Sequence, residues 1–146
     1  MTNEGPVFNQ VNLVVKNMEA TVAFYRRLGL SIPDAAPGWE GHHRSVEMPD
    51  DGLELEFDSE AFAQKWNAGW SSAVNGGAGV LGFRVASREA VDELYAELTD
   101  AGYRNQQAPY DTFWGARYAI VEDPDGNAVG LMSPIDPARR SAPPPP

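Results

Sequence analysis

The chain has 146 residues, 42% of them hydrophobic, enough for one compact domain with a sizeable core and too few for two domains with separate cores. Eleven basic against twenty-one acidic side chains give a formal charge of -10, a balance that disfavours nucleic acid and anionic membranes as partners. With no cysteine there is neither a disulfide framework nor a thiolate site, and with no leader-like start and no bilayer-length apolar run the expectation is a cytoplasmic protein.

From Val7 to Val15 the alternation predicts a strand, with Val11, Leu13 and Val15 on one face and Gln10, Asn12 and Val14 on the other. Asn17 then caps a helix from Met18 to about Leu28, whose stripe is Met18, Val22, Tyr25 and Leu28 and whose stop is Gly29. Two strands, His42 to Met48 and Leu53 to Phe57, flank the turn Pro49-Asp50-Asp51-Gly52. Residues 58–78 read as a connection that opens with a short helical stretch carrying Phe62 and Trp66.

A strand from Val80 to Val85 follows, then a helix capped by Ser87, with Val91, Leu94, Tyr95 and Leu98 at helical spacing and Gly102 at its end. A loop carrying Tyr110, Phe113 and Trp114 leads to a strand from Arg117 to Val121, the turn Asp123-Pro124-Asp125-Gly126, and a last strand to Met132. The Pro-rich tail, 134–146, has too little apolar content to order itself and is expected to be disordered.

One pattern occurs twice. Val11, Leu13, Val15, Ala20, Phe24, Tyr25 and Leu28 recur 70 positions later as Leu81, Phe83, Val85, Ala90, Leu94, Tyr95 and Leu98. Such register argues for a duplicated unit, with modules 7–57 and 79–133 joined by 58–78 in a single domain, 7–133. If the helices cover one sheet face, the other carries Gln10, Asn12, Glu54 and Glu56 from the first module. The second contributes Val80, Gly82, Arg84, Arg117, Ala119, Val121, Gly130 and Met132. His43 shares a face with Ser45 and Glu47.

Val11-Asn12-Leu13-Val14-Val15, Ala23-Phe24-Tyr25 with Leu28-Gly29-Leu30, Glu54-Leu55, and Trp114-Gly115 with Asp123-Pro124-Asp125-Gly126-Asn127 carry a family resemblance. Together they resemble the vicinal oxygen chelate superfamily, which includes glyoxalase I, extradiol dioxygenases and the bleomycin-resistance proteins. The resemblance implies an α+β fold of two βαβββ modules whose curved sheets form a cleft, with helices outside and often a dimer. It also implies metal ligands on the first and last strand of each module, which carry over to Gln10, Glu54, Val80 and Gly130. Valine and glycine offer no side-chain donor, so no metal and no cofactor is expected. His42 or His43 could substitute as a ligand, or the pair could simply be a polar strand edge.

Trp114-Gly115-Ala116-Arg117 is similar to the Trp-Gly-x-Arg run of bleomycin-resistance proteins. The expected function is therefore non-catalytic binding or sequestration of a small aromatic molecule of the antibiotic-resistance type. Carboxylates in a partly apolar groove favour a cationic ligand, and aromatic faces add about 0.5–2 kcal/mol of cation-π attraction. The residues expected to bind it are Gln10, Asn12, His43, Glu54, Glu56, Arg84, Tyr110, Trp114 and Arg117. The alternative is a metal-dependent isomerase, lyase or dioxygenase with a rearranged ligand set. Trp39, Trp66, Trp70 and Trp114 all fall in loops or connections and need either a ligand or a second subunit, so a homodimer is also expected.

Overall fold

The computed structural model describes residues 10–49, 53–66 and 79–144, and divides the chain into two units, Met1–Asn75 and Gly76–Pro146. In the first, alternation produces β1 (Gln10–Val15), whose last residue, Val15, is fully buried. Asn17 starts α1 (Met18–Leu28), its Oδ1 accepting from the Ala20 amide at 3.0 Å. Gly29 stops the helix at φ 115°, a left-handed conformation that glycine adopts without a Cβ clash. The buried stripe of α1 includes Phe24, Tyr25 and Leu28, and Tyr25 stacks on Phe57 with centroids 4.8 Å apart.

Phe57 belongs to β3 (Glu54–Ser59), the central strand of a three-stranded sheet. β1 lies parallel to it, with Gln10 opposite Glu54, and β2 (His43–Val46) lies antiparallel, with His43 opposite Asp58. α2 (Glu60–Trp66) follows at once, its start capped by Ser59 Oγ, which accepts from the Phe62 amide at 3.1 Å. The connection therefore begins later than the sequence suggests, because Asp58 and Ser59 continue the strand. Trp66 ends a helix. Val7 to Asn9, Asp50 to Gly52 of the expected turn, and Trp70 lie outside the described residues.

The second unit repeats the plan with β4 (Val80–Arg84) and α3 (Arg88–Asp100), capped by Ser87 Oγ on the Ala90 amide at 3.1 Å. β5 (Asn105–Asp111), β6 (Arg117–Glu122) and β7 (Ala128–Met132) complete a four-stranded sheet in the order β4-β7-β6-β5. β4 runs parallel to β7 and the other pairs are antiparallel. The core joins Val91 and Leu98 of α3 to Ala119, Val121, Val129 and Leu131, all fully buried.

β5 is a strand where the sequence reads as a loop. Asn105-Gln106-Gln107-Ala108-Pro109 lacks both alternation and β-forming residues, and its pairing to β6 breaks register twice. An edge position tolerates the proline that a central strand would reject. The tail also departs from expectation. Asp136 donates its amide to Gly115 O at 2.9 Å, Pro137–Arg139 forms a 3₁₀ turn, and Ser141 bonds Phe113 O at 2.9 Å. Backbone pairing to one turn substitutes for the missing apolar contacts. Gly115 permits it: at φ 95° its missing Cβ would stand 2.4 Å from Asp136 O.

Asp123-Pro124-Asp125-Gly126-Asn127 proves to be a structural turn. Asp123 Oδ1 accepts from the amides of Asp125 and Asn127, both at 2.9 Å, and Oδ2 accepts from Asn127 Nδ2 at 2.8 Å. Among the described residues no helix is long and apolar enough to cross a membrane.

Candidate functional site

Within the first unit, even-numbered residues of β1 and β3 share one face because parallel pairing keeps them in phase. Gln10 Nε2 donates to Glu56 Oε2 at 2.9 Å, and Asn12 Nδ2 donates to Asp58 Oδ2, also at 2.9 Å. His43 Nδ1 meets the other Asp58 oxygen at 2.5 Å, and His43 Nε2 lies 3.5 Å from Ser45 Oγ. Gln10, Asn12, Glu54 and Glu56 thus stand on one polar face as expected, and the pairing of β2 with β3 brings His43 to the same face. Asp58 joins them unforeseen, because the sequence reading ends this strand at Phe57. The alternation Glu54, Glu56, Asp58 is the signal that extends it.

Asp58 is buried and Glu54 exposed, while Asn12 Oδ1 is buried with no hydrogen-bond partner among the described residues. His42 is held elsewhere, its ring nitrogen 2.9 Å from Ser59 Oγ.

In the second unit the sheet face opposite α3 carries Val80, Gly82 and Arg84 of β4, Gly130 and Met132 of β7, and Tyr118 and Ile120 of β6. Arg117, Ala119 and Val121 are on the other side, a correction to the expected face. Arg117-Tyr118-Ala119-Ile120-Val121 offers hydrophobic side chains at both parities, so alternation alone leaves the facing undetermined. Arg117 instead bonds Asp92 of α3 at 3.0 Å and Asp111 at 3.3 Å, and the Asp92 hydrogen bond raises its pKa further. It is a structural ion pair rather than a ligand contact.

Gly82 and Gly130 are register partners, and what fills the space above each differs. A Cβ on Gly82 would meet nothing within 4 Å. Above Gly130 it would stand 2.9 Å from Tyr118 Oη and 3.2 Å from Val80 Cγ1. The open floor at Gly82 becomes a recess of about 430 Å³, walled by Val80, Tyr118, Met132 and Trp114, with Arg84 also lining it.

Trp114 is fixed over the recess by donating Nε1–H to Met132 Sδ at 3.4 Å, and packs edge-on against Tyr118 at 5.8 Å. Tyr110 meets the same ring at 6.2 Å. Burial, and then the Tyr110 phenol, push the Tyr118 phenol above the usual tyrosine range. Arg84 is exposed and has no partner among the described residues. Tyr118 is the residue that sequence reasoning missed here.

These placements bear on a metal. Of the four positions that the family pattern assigns to ligands, Val80 and Gly130 supply no donor, and Tyr118 already occupies the space where a side chain at 130 would stand. His43 could offer only Nε2, since Nδ1 is taken by Asp58, and one imidazole nitrogen does not replace the two missing donors. No group of three or more His, Asp or Glu side chains among the described residues is arranged to hold a metal ion. The residues present do not fit the metal centre that the family pattern implies.

The cationic-ligand expectation joined Glu54 and Glu56 to the aromatic residues in one cleft. The carboxylates belong to the first unit and Trp114 and Tyr110 to the second, where Arg84 supplies the charge.

A family model described as the Glyoxalase/Bleomycin resistance protein/Dioxygenase superfamily matches residues 7–131. No curated protein is similar enough to count as a match. Among solved structures, a glyoxalase/bleomycin resistance protein/dioxygenase family enzyme from Burkholderia phytofirmans is similar at 23% identity and a TM-score of 0.73, over 86% of this chain and 97% of that one. A glyoxalase-related enzyme from Fulvimarina pelagi aligns at 21% identity and a TM-score of 0.71, over 86% of each chain. A lactoylglutathione lyase from Agrobacterium tumefaciens aligns at 18% identity and a TM-score of 0.65, over 90% and 96%. At these identities the likeness establishes the fold alone.

Proposed function

The chain belongs to the glyoxalase/bleomycin resistance protein/dioxygenase superfamily, and within it we propose that it binds a small aromatic acid without a metal. The observation that carries this reading is the recess above Gly82. Its volume of about 430 Å³ is within the usual range for small-molecule sites, and its walls are a tryptophan, a tyrosine and a methionine. A flat apolar body has rings to pack against, and Arg84 offers an unpaired guanidinium for a carboxylate, a bidentate match that lysine would not give. Salt screens the chain's net negative charge beyond about 8 Å, so distant carboxylates oppose an anion at this recess only weakly.

Sequestration follows from binding without turnover at this recess. The test is a titration of tryptophan fluorescence with aromatic carboxylates, neutral aromatics and aromatic ammonium compounds, first in chelator and then with added divalent metals. Saturable binding of carboxylates in chelator supports the reading. Binding or turnover that requires metal would reject it in favour of a metal-dependent isomerase, lyase or dioxygenase.

Homodimerisation is part of the same proposal, supported by the exposed Val80, Tyr110 and Phe113. Sedimentation at micromolar concentration is expected to give twice the chain mass. A monomer over that range would reject it.

A further inference from the structure

Binding in the second unit leaves the buried carboxylate of the first unit without a role. Asp58 has only 4% of its side chain exposed, and both of its oxygens are taken, one by Asn12 and one by His43. A carboxylate oxygen accepts and does not donate. The His43 ring proton is therefore on Nδ1, and Nε2 presents its lone pair on the far side of the ring. That lone pair faces Ser45 Oγ at 3.5 Å. Phe62 of α2 abuts the ring edge-on at 5.9 Å, so the imidazole is held from a third direction. His43 and Ser45 also line a recess of about 260 Å³, together with Pro33, Ala35 and Trp39.

We propose that Ser45, His43 and Asp58 form an acyl-transfer site for small esters, an activity beyond ligand binding and in the other unit. Hydroxyl, imidazole and buried carboxylate stand in the order that activates a serine, each within reach of the next. The 3.5 Å spacing is loose, as is usual before a substrate draws the pair together.

In the first step Ser45 Oγ bonds to the ester carbonyl carbon while its proton passes to His43 Nε2. The bond to the alcohol oxygen then breaks, and that oxygen leaves with the proton from Nε2. In the second step water attacks the acyl-serine, giving its proton to Nε2. The acyl–Oγ bond breaks, Oγ recovers the proton, and a carboxylic acid is released. Ser45 and His43 are the catalytic residues of this proposal, and Asp58 is a positioning residue that acts through the imidazole.

The experiment treats the full chain with a fluorophosphonate probe, locates adducts by peptide mass spectrometry, and measures hydrolysis of 4-nitrophenyl acetate alongside. One adduct on Ser45 is expected, absent in Ser45→Ala. His43→Gln, at a partly exposed position and with its folding checked by circular dichroism, is expected to slow both labelling and hydrolysis at least tenfold. His42→Gln should change neither, because that ring is turned to Ser59.

A low-field imidazole N–H proton resonance is expected in the wild type and in Ser45→Ala. It should vanish in Asp58→Asn and His43→Gln, and Asp58→Asn should also shift the pH dependence of hydrolysis by the folded protein, which a purely structural Asp58 would leave unchanged. No adduct, an adduct elsewhere, or labelling as fast in His43→Gln as in the wild type would overturn the proposal. Should Asp58→Asn fail to fold, the His43→Gln comparison still decides.

Discussion

Replacing Gly82 with valine tests the recess without touching any residue that lines its walls. The new Cβ meets no atom within 4 Å, and Gly82 is not among the glycines held at positive φ, so valine fits the strand conformation. Removing a strand glycine is expected to raise stability by about 0.5–1 kcal/mol. The added methyls, however, project into the volume between Val80, Tyr118 and Met132 that a flat ligand would use.

A ligand such as 2-naphthoate has about 13 non-hydrogen atoms, and at about 0.3 kcal/mol per atom it would bind with about 4 kcal/mol, a Kd near 1 mM. Loss of even a third of that energy weakens it roughly tenfold. Calorimetric titration of the two proteins, with thermal unfolding of each, gives both numbers. Unchanged affinity in Gly82→Val would show that the ligand does not enter this recess. A large loss of stability would show that the space above Gly82 is not open.

Asp123→Ala removes three accepted hydrogen bonds, two of them from backbone amides, and is expected to cost about 2–4 kcal/mol in urea unfolding, with aromatic-ligand affinity retained in the folded protein. Tyr118 gives a pH dependence. Its folded pKa lies above the unfolded value, so its contribution to stability is complete below about pH 10 and is lost as pH rises from there through the folded value. Ultraviolet titration should show one late-forming phenolate, absent in Tyr118→Phe.

How much could be read beforehand differs between helices and faces. The helix caps Asn17 and Ser87, and the stop at Gly29, were legible because a cap is a local chemical requirement that one residue type meets. The polar face of β1 was equally legible, since polar and apolar residues alternate there without exception up to Val14. β6 was not, because tyrosine, alanine, isoleucine and valine follow one another and either face could be the buried one. Its true phase is set by pairing with β7, which brings Tyr118 opposite Met132 and Ile120 opposite Gly130. The His43–Asp58 pair depends on a register between strands that the sequence does not encode locally. Ordering of the tail likewise rests on backbone bonds to the Gly115 turn, which composition does not report.

The loss of a donor at position 130 is coupled to the gain of a ring at position 118, and the coupling is measurable. Gly130 sits in a strand where alanine would ordinarily bring about 0.5–1 kcal/mol of stability. Its Cβ would stand 2.9 Å from Tyr118 Oη and 3.1 Å from the ring carbon Cε1, so the tyrosine must tilt away. Trp114 and Tyr110 pack against the same ring and resist that movement. Overpacking of this kind costs about 1–3 kcal/mol, which outweighs the gain and leaves Gly130→Ala net destabilising. In a Tyr118→Ala background only Val80 Cγ1, at 3.2 Å, still crowds the new Cβ, and the same substitution should cost much less. A double-mutant cycle by urea unfolding is therefore expected to give a coupling of about 1–3 kcal/mol between the two positions. Additive effects would mean that the ring does not occupy the space of a side chain at 130 and that a ligand side chain would fit there.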